Sequence, residues 1–346
     1  MNEIVEQVKE YYGKVLDGTK DLKTKACCCS SAGLPKEVRE ALSLIDDEIV
    51  THYYGCGSPI PPLLDGMTVL DLGCGTGRDV YVASKLVGEK GHVIGVDMTQ
   101  EQLDIALRHE EEQYKRFGYK ASNVTFKKGY IEDLQSLGIA DNSIDVVISN
   151  CVINLSPYKQ NVFNEIWRVL KPGGELYFSD VFTDRRIPDE LYADPVLHGE
   201  CISGAMYFED FRRMLNKAGF MDFVYMSIRN FDLGNEAIEE KVGFAHFSER
   251  TVRVFKLADL EDACEDYGQV AMYRGTVPGH PHAFDFDMNN HFVTGKPMLV
   301  SGNLASMLSE TRYAPAFTVY GDRSVHFGPF GVTPVAEDDG DSGCCC

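Results

Sequence analysis

No stretch of this 346-residue chain approaches the roughly 20 consecutive apolar residues that a membrane-crossing helix needs. Basic residues are the scarcer charge, 33 against 53 acidic, for a formal net charge of −20. That excess repels phosphate backbones and anionic lipid surfaces, so neither nucleic acid nor a membrane is expected as a partner. The opening MNEIVEQVKEYYGKVL carries charge throughout and has no apolar centre. It reads as an amphipathic helix rather than a secretory signal. The paired C-x₂-C spacing of a structural zinc site is also missing, although there are 11 cysteines. Without an export signal, so many thiols in so long a chain point to a reducing, cytoplasmic compartment and to free or reactive cysteines. Two triplets stand out among them, Cys27 to Cys29 and Cys344 to Cys346.

What the chain does contain, from Met67 onward, is regular alternation. MTVLDLG, HVIGVD, VTFKKG, IDVVISN and GELYFSD read as buried strands. Helical patterns lie between them at Arg78 to Val87, at Thr99 to Phe117 and around Phe163 to Arg168. Apolar strands alternating with helices predict a parallel sheet covered on both faces, a doubly wound Rossmann-like α/β core. Four segments are expected: residues 1–65 as an N-terminal piece, 66–234 as the core, 235–330 as a small α+β domain, and 331–346 as an acidic, disordered tail. TVRVFKL, QVAMYRG and FTVYG are assigned to the small domain.

The first strand runs into Asp71-Leu72-Gly73-Cys74-Gly75-Thr76-Gly77-Arg78-Asp79. Alternate glycines permit a tight turn that brings bare N–H groups against a ligand at a helix N-terminus. The next strand ends in Asp97, where a carboxylate can accept from both hydroxyls of a ribose. A dinucleotide fingerprint would need glycine where Arg78 stands. An acid two positions before the first glycine suits a ligand bearing an ammonium group, such as the methionyl end of S-adenosylmethionine. DLGCGTGRD, VIGVDMT, GYIEDL, SNCVINL and VLKPGGELYFSD resemble the successive motifs of class I S-adenosylmethionine methyltransferases. The resemblance implies that Asp71, Gly73, Gly75, Gly77 and Arg78 hold the methionyl portion and Asp97 the ribose. Met98, Ile131 and Glu132 would flank the adenine, and Asn150 would lie beside the transferable methyl.

The acceptor must be read from the side chains near that methyl. Cys151 follows Asn150, Cys201 sits in His198-Gly199-Glu200-Cys201 after the fifth strand, and Cys56 lies in Tyr53-Tyr54-Gly55-Cys56-Gly57. No Ser-His-Asp set, Cys-His set or pair of carboxylates for general-base work stands out beside them. A thiol-rich, base-poor site suits trivalent arsenic, a soft centre that binds up to three thiolates and keeps its own lone pair as the nucleophile. YYGKVL, DLKTKAC, YYGCGSPIP, LVGEKGHVIGVDMT, SNCVINL and HGECISGA resemble the arsenite S-adenosylmethionine methyltransferase family over residues 10–205. That resemblance implies four working cysteines, Cys27, Cys56, Cys151 and Cys201, and an arsenic-binding insertion around residues 185–206. It makes Cys151 and Cys201 the pocket ligands, with Cys56 the third sulfur for arsenite; Cys27 and Cys56 can form a disulfide. Tyr54 would pack on the cofactor. Implied partners are arsenite, methylated arsenicals, and glutathione or thioredoxin as thiol reductant. Three cysteines stand where the family has one; register favours Cys27. Cys74 and Cys264 are read as packing residues, and Cys344 to Cys346 as an auxiliary metalloid trap. Two rival readings are a methyltransferase for a small organic acceptor and a non-catalytic, thiol-rich metalloid binder.

Overall fold

In the computed structural model, which describes residues 34–52, 55 and 59–331, two short helices precede the sheet. They are α1 (Lys36–Leu42) and α2 (Asp47–Thr51). Asp46 caps α2 by accepting from the Glu48 backbone N–H, the usual use of a short acid at that position. β1 (Thr68–Leu72), α3 (Arg78–Val87), β2 (His92–Asp97), α4 (Gln100–Phe117) and β3 (Val124–Lys128) then alternate. β4 (Ile144–Asn150), α5 (Lys159–Val169) and β5 (Leu170–Thr183) follow. Next come α6 (Pro195–Gly199), β6 (Met206–Tyr207), α7 (Phe208–Ala218), β7 (Phe223–Phe231), α8 (Glu236–Val242) and β8 (Phe247–Phe255).

The sheet runs β3-β2-β1-β4-β5-β8-β7, with β6 beside β5. β1 to β5 pair parallel, whereas β8 is antiparallel to both β5 and β7. One apolar cluster covers one face with Phe163, Ile166, Phe211 and Leu215 from α5 and α7. Another covers the opposite face with Ile49, Val80, Tyr81 and Leu103 from α2, α3 and α4. This is the doubly wound arrangement expected from the alternation. The chain leaves β1 for β2 on one side and returns to place β4 on the other. The crevice at that switch, beyond the carboxyl ends of β1, β2 and β4, is where such sheets bind ligands.

The expected boundary at residue 235 does not hold. TVRVFKL falls largely within β8, which lies between β5 and β7 inside the main sheet rather than in the small domain. An antiparallel strand without a preceding long amphipathic helix breaks the βα rhythm, so the pattern hides its membership. Beyond it, β9 (Glu265–Asp266), β10 (Val270–Tyr273), β11 (Ala283–Asp285), β12 (His291–Val293) and β13 (Pro297–Leu299) form short ladders. They are joined by α9 (Gly302–Ser309), β14 (Phe317–Tyr320) and β15 (Gly328–Pro329). Tyr273, Phe284, Phe286, Tyr313 and Phe317 build this domain's own core. No helix among the described residues is long and apolar enough to cross a membrane.

Candidate active site

At the switch point a cavity of about 1060 Å³, its open mouth included, is lined by Asp71, Gly73, Gly75, Arg78, Asp97 and Met98. Ile131, Glu132, Asn150 and Cys151 line it too, so it gathers most of the residues picked out in the sequence. Gly77 is not in that lining; it is the left-handed residue (φ 86°) at the N-terminus of α3. Gly73 also has positive φ, and a Cβ on it would come within 2.4 Å of the Val152 methyls. Only glycine fits such a position without strain. Thr76 Oγ1 donates to the Ile49 carbonyl at 3.0 Å, which ties the loop to α2.

Asp97 has two tasks. Its carboxylate accepts from the Gly75 N–H at 2.8 Å and from the Thr99 N–H at 2.8 Å. It thus braces the glycine loop as well as facing the cavity, and burial raises its pKa against the pull of those N–H groups. Asp71 is 2% exposed. Burial first, then the charges of Asp79 and Asp97, hold its carboxyl well above the usual range, with Arg78 opposing. Arg78 is engaged with Asp79, Nη2 to Oδ1 at 2.7 Å, and Asn150 Nδ2 reaches the other oxygen of Asp79 at 3.4 Å. A ligand carrying an ammonium group would add to the positive charge that Arg78 brings to Asp71. The donor set therefore fits an aminoacyl nucleoside with an ammonium at one end and a ribose at the other. Ser156 Oγ donates to Glu132; neither Ser156 nor Asp79 was picked out from the sequence.

Cys151 and Cys201 meet beside this cavity. Cys201 Sγ lies 3.2 Å from the Cys151 carbonyl oxygen, and Cys201 is fully buried. Of the four non-glycine residues with positive φ among the described residues, two are Cys151 (55°) and Cys201 (62°). Such strain persists only where the surroundings enforce it and is concentrated at functional sites. At Cys151 the enforcing contact is its N–H on the Ser179 carbonyl (2.8 Å). At Cys201 the chain leaves α6 in a turn, with Cys201 N–H on His198 O and Ile202 N–H on Leu197 O. Cys151 is held in a disulfide, where the sequence reading has it as a free ligand; the described cysteines outside a disulfide are Cys74, Cys201 and Cys264. Cys27, Tyr54 and Cys56 lie outside the described residues, as do Cys28, Cys29 and Cys344 to Cys346.

A polar group behind Cys201 was not legible in the chain. Lys159 Nζ donates to the Ser156 carbonyl (2.9 Å) and to Tyr192 Oη (2.6 Å). Its pKa falls to about 8, through burial first, against the charges of Asp180, Cys201 and Glu132. Burial pushes Asp180 up to about 7, although the Val181 and Asn154 N–H groups hydrogen-bond to it. His198, with Nε2 on the Leu155 carbonyl, is lowered to about 4 by burial and stays neutral. An acid at the end of an otherwise apolar strand, as in GELYFSD, was the available signal for Asp180. Cys74 is buried against Gly95 and its thiol pKa is raised by burial, as suits a packing residue. Among the described residues, Asp46, His109 and Glu112 bring ligand atoms within 4.8 Å of one another, but Arg116 already pairs with both acids.

The sheet order and this glycine-loop cavity define a class I methyltransferase. A model of the methyltransferase domain matches residues 63–219, and one of the arsenite methyltransferase C-terminal domain matches residues 266–345. The arsenite methyltransferase of Aquipseudomonas alcaligenes is 52% identical over 94% of this chain and 93% of its own length. The human arsenite methyltransferase is 41% identical, covering 92% and 84%. A crystal structure of an arsenic(III) S-adenosylmethionine methyltransferase from Chlamydomonas reinhardtii superposes with a TM-score of 0.83 at 51% identity, covering 86% of this chain and all of that one. The chain belongs to the arsenite methyltransferase family.

Proposed function

We propose that this protein transfers methyl groups from S-adenosylmethionine to trivalent arsenic held on its cysteines, converting arsenite to mono- and dimethylated arsenicals. The observation that carries the reading is a pair of buried, backbone-strained cysteines, Cys151 in the wall of the cavity and Cys201 packed against the Cys151 carbonyl. Family membership supports it. The cofactor supplies a methyl group made electrophilic by a sulfonium. Asp71 faces the ammonium of that ligand and Asp97 the ribose hydroxyls, with Met98, Ile131 and Glu132 around the adenine. Arsenic bound as a thiolate pyramid needs no general base, because its lone pair is the nucleophile. The cysteines aim that lone pair along the bond being broken.

In each transfer an As–C bond forms from the lone pair, the methyl–sulfur bond breaks and S-adenosylhomocysteine leaves. Arsenic is formally oxidised from III to V, and two thiols return it to III by forming a disulfide. Glutathione or thioredoxin in a reducing cytoplasm would then reduce that disulfide. Cys151 must itself be reduced before it can ligate. The N-terminal segment carries Cys27 and Cys56, and residues 185–206 complete the arsenic pocket.

Arsenite has three exchangeable positions and monomethylarsenite two, which separates the roles of the cysteines. With labelled S-adenosylmethionine and excess thiol, Cys151→Ser and Cys201→Ser should methylate neither substrate. Cys56→Ser and, by its proposed redox pairing, Cys27→Ser should lose only the arsenite step. Arsenic speciation of the products reads the result. Turnover of either substrate by the Cys151 or Cys201 variant would refute the pocket, and arsenic binding without turnover by the unaltered protein would leave only a sequestrant.

A further inference from the structure

Cys201 is carried on the stretch of chain between β5 and β6. On the outside this stretch is tied by ion pairs, Arg186 with Asp210 and Asp194 with Lys241, which water screens and weakens. Its inner side is held differently. Lys159, the first residue of α5, donates from Nζ to Tyr192 Oη at 2.6 Å and to the Ser156 carbonyl at 2.9 Å. The ammonium also lies 5.3 Å from the centre of the Tyr192 ring. Tyr192 rests against His198, ring centres 5.0 Å apart, and His198 Nε2 donates to the Leu155 carbonyl at 3.1 Å. The Cys201 N–H in turn donates to the His198 carbonyl at 3.0 Å. Leu155 and Ser156 line the cofactor cavity together with Cys151. Two adjacent carbonyls of the cavity wall are thus gripped by Lys159 and His198, and Tyr192 closes the ring between them.

We propose that Lys159 is a positioning residue for arsenic capture. Through Tyr192 and His198 it holds the Cys201 stretch on the wall of the cofactor cavity, so that arsenic bound at Cys151 meets its second sulfur already in place. The inference rests on the reading above that Cys151 and Cys201 are the pocket ligands. Once arsenic sits on Cys151, bonding to Cys201 is intramolecular, and its strength follows the effective concentration of the second thiol. Burial lowers the Lys159 pKa to about 8, so keeping an ammonium there costs free energy that an apolar side chain would not. What the charge adds is a pair of directed hydrogen bonds, to a carbonyl and a phenol, which fix Tyr192 in angle as well as distance.

The test compares the full-length, reduced protein with Lys159→Met and Tyr192→Phe near neutral pH. The first keeps the length of the side chain without its charge, and the second keeps the ring on His198 without the hydroxyl. Cys201 is the only cysteine of the tryptic peptide 187–212, so mass spectrometry reads its alkylation by iodoacetamide separately. A fully buried thiol reacts through local opening, so this rate should rise about tenfold in Lys159→Met and less steeply in Tyr192→Phe. With monomethylarsenite and excess thiol, the KM of Lys159→Met should rise about tenfold, while kcat and S-adenosylmethionine affinity change less than about threefold. If Lys159→Met does not fold, Tyr192→Phe decides alone. Unchanged Cys201 alkylation in the variants would overturn the proposal. So would a fall in kcat or cofactor affinity as large as the rise in KM, the mark of a general loosening of the fold. Monomethylarsenite should also shield Cys201 from alkylation in the unaltered chain. Without shielding the ligand reading fails and takes the inference with it; shielding there, with unchanged variants, sinks the inference alone.

Discussion

Cys201, proposed above as an arsenic ligand, sits on strained backbone. A left-handed φ costs an L-residue roughly 1–2 kcal/mol, which glycine does not pay. Cys201→Gly should therefore be more stable than Cys201→Ala by about 1 kcal/mol in urea unfolding, the reverse of the order in ordinary helix or strand. Both should be inactive, and an alanine variant at least as stable would show that the turn is not strained. Asp180 makes a second claim at this scale. Burial moves it from 3.8 to about 7, so between these values the folded chain keeps a proton that the unfolded chain has released. The contribution of this group to stability should fall as pH rises from about 4 to 7, by an amount on the order of 3–4 kcal/mol. His198, lowered to about 4, contributes in the opposite direction over the same window. Lys159, lowered to about 8, stays charged in both states over that window and does not add to the slope. In Asp180→Asn the slope from this group should vanish, as chemical unfolding at several pH values would record.

At the scale of elements, the loop from β1 to α3 was the most legible part of the chain. Glycine spacing, the acid before it and the acid closing β2 all serve one turn. Less legible was the mutual support among these parts, since Asp97 also clamps the Gly75 N–H. Val152, from the turn after β4, fills the space that Gly73 leaves open. Gly73→Ala should cost about 2–3 kcal/mol, from positive φ plus the clash, and should weaken cofactor binding in calorimetry. Adding Val152→Ala should restore part of the loss by removing the clash but not the φ penalty. Complete rescue would mean that backbone strain is negligible there, and no rescue would mean that the clash is. Sequence reasoning could not place β8, whose neighbours β5 and β7 both run antiparallel to it. Pairing partners are chosen by long-range register, not by local pattern.

Across the whole molecule, the main sheet and the C-terminal domain are joined through buried charge. Glu175 meets Arg253 (Nε to Oε1, 2.6 Å) and Arg312, while Arg253 also reaches Tyr313 Oη and the Phe286 carbonyl. One carboxylate serves two cations. Glu175→Gln would strand both guanidiniums away from water, and breaking such a group typically costs about 3–5 kcal/mol. A large fall in Tm is expected, with the two domains unfolding less cooperatively in calorimetry. A variant with unchanged Tm would show that the network is incidental.

Much of this protein was settled by sequence alone. Hydrophobic periodicity specified the doubly wound core, because strand and helix periods are local properties of side-chain order. Spaced glycines and two acids specified the cofactor loop, because a tight turn against a ligand tolerates few residue types. The softness of the cysteines suited trivalent arsenic, and the motifs around them carried the resemblance that named the acceptor. The tertiary structure alone decided that Cys151 and Cys201, fifty positions apart, are buried against each other in one cluster, both in left-handed backbone. It also decided that Lys159 and Asp180 lie behind them, and that Arg312 reaches back to Pro62. Burial shifts a pKa and a guanidinium finds a distant carbonyl only once the chain has closed on itself, and no local pattern encodes which remote groups will be enclosed together.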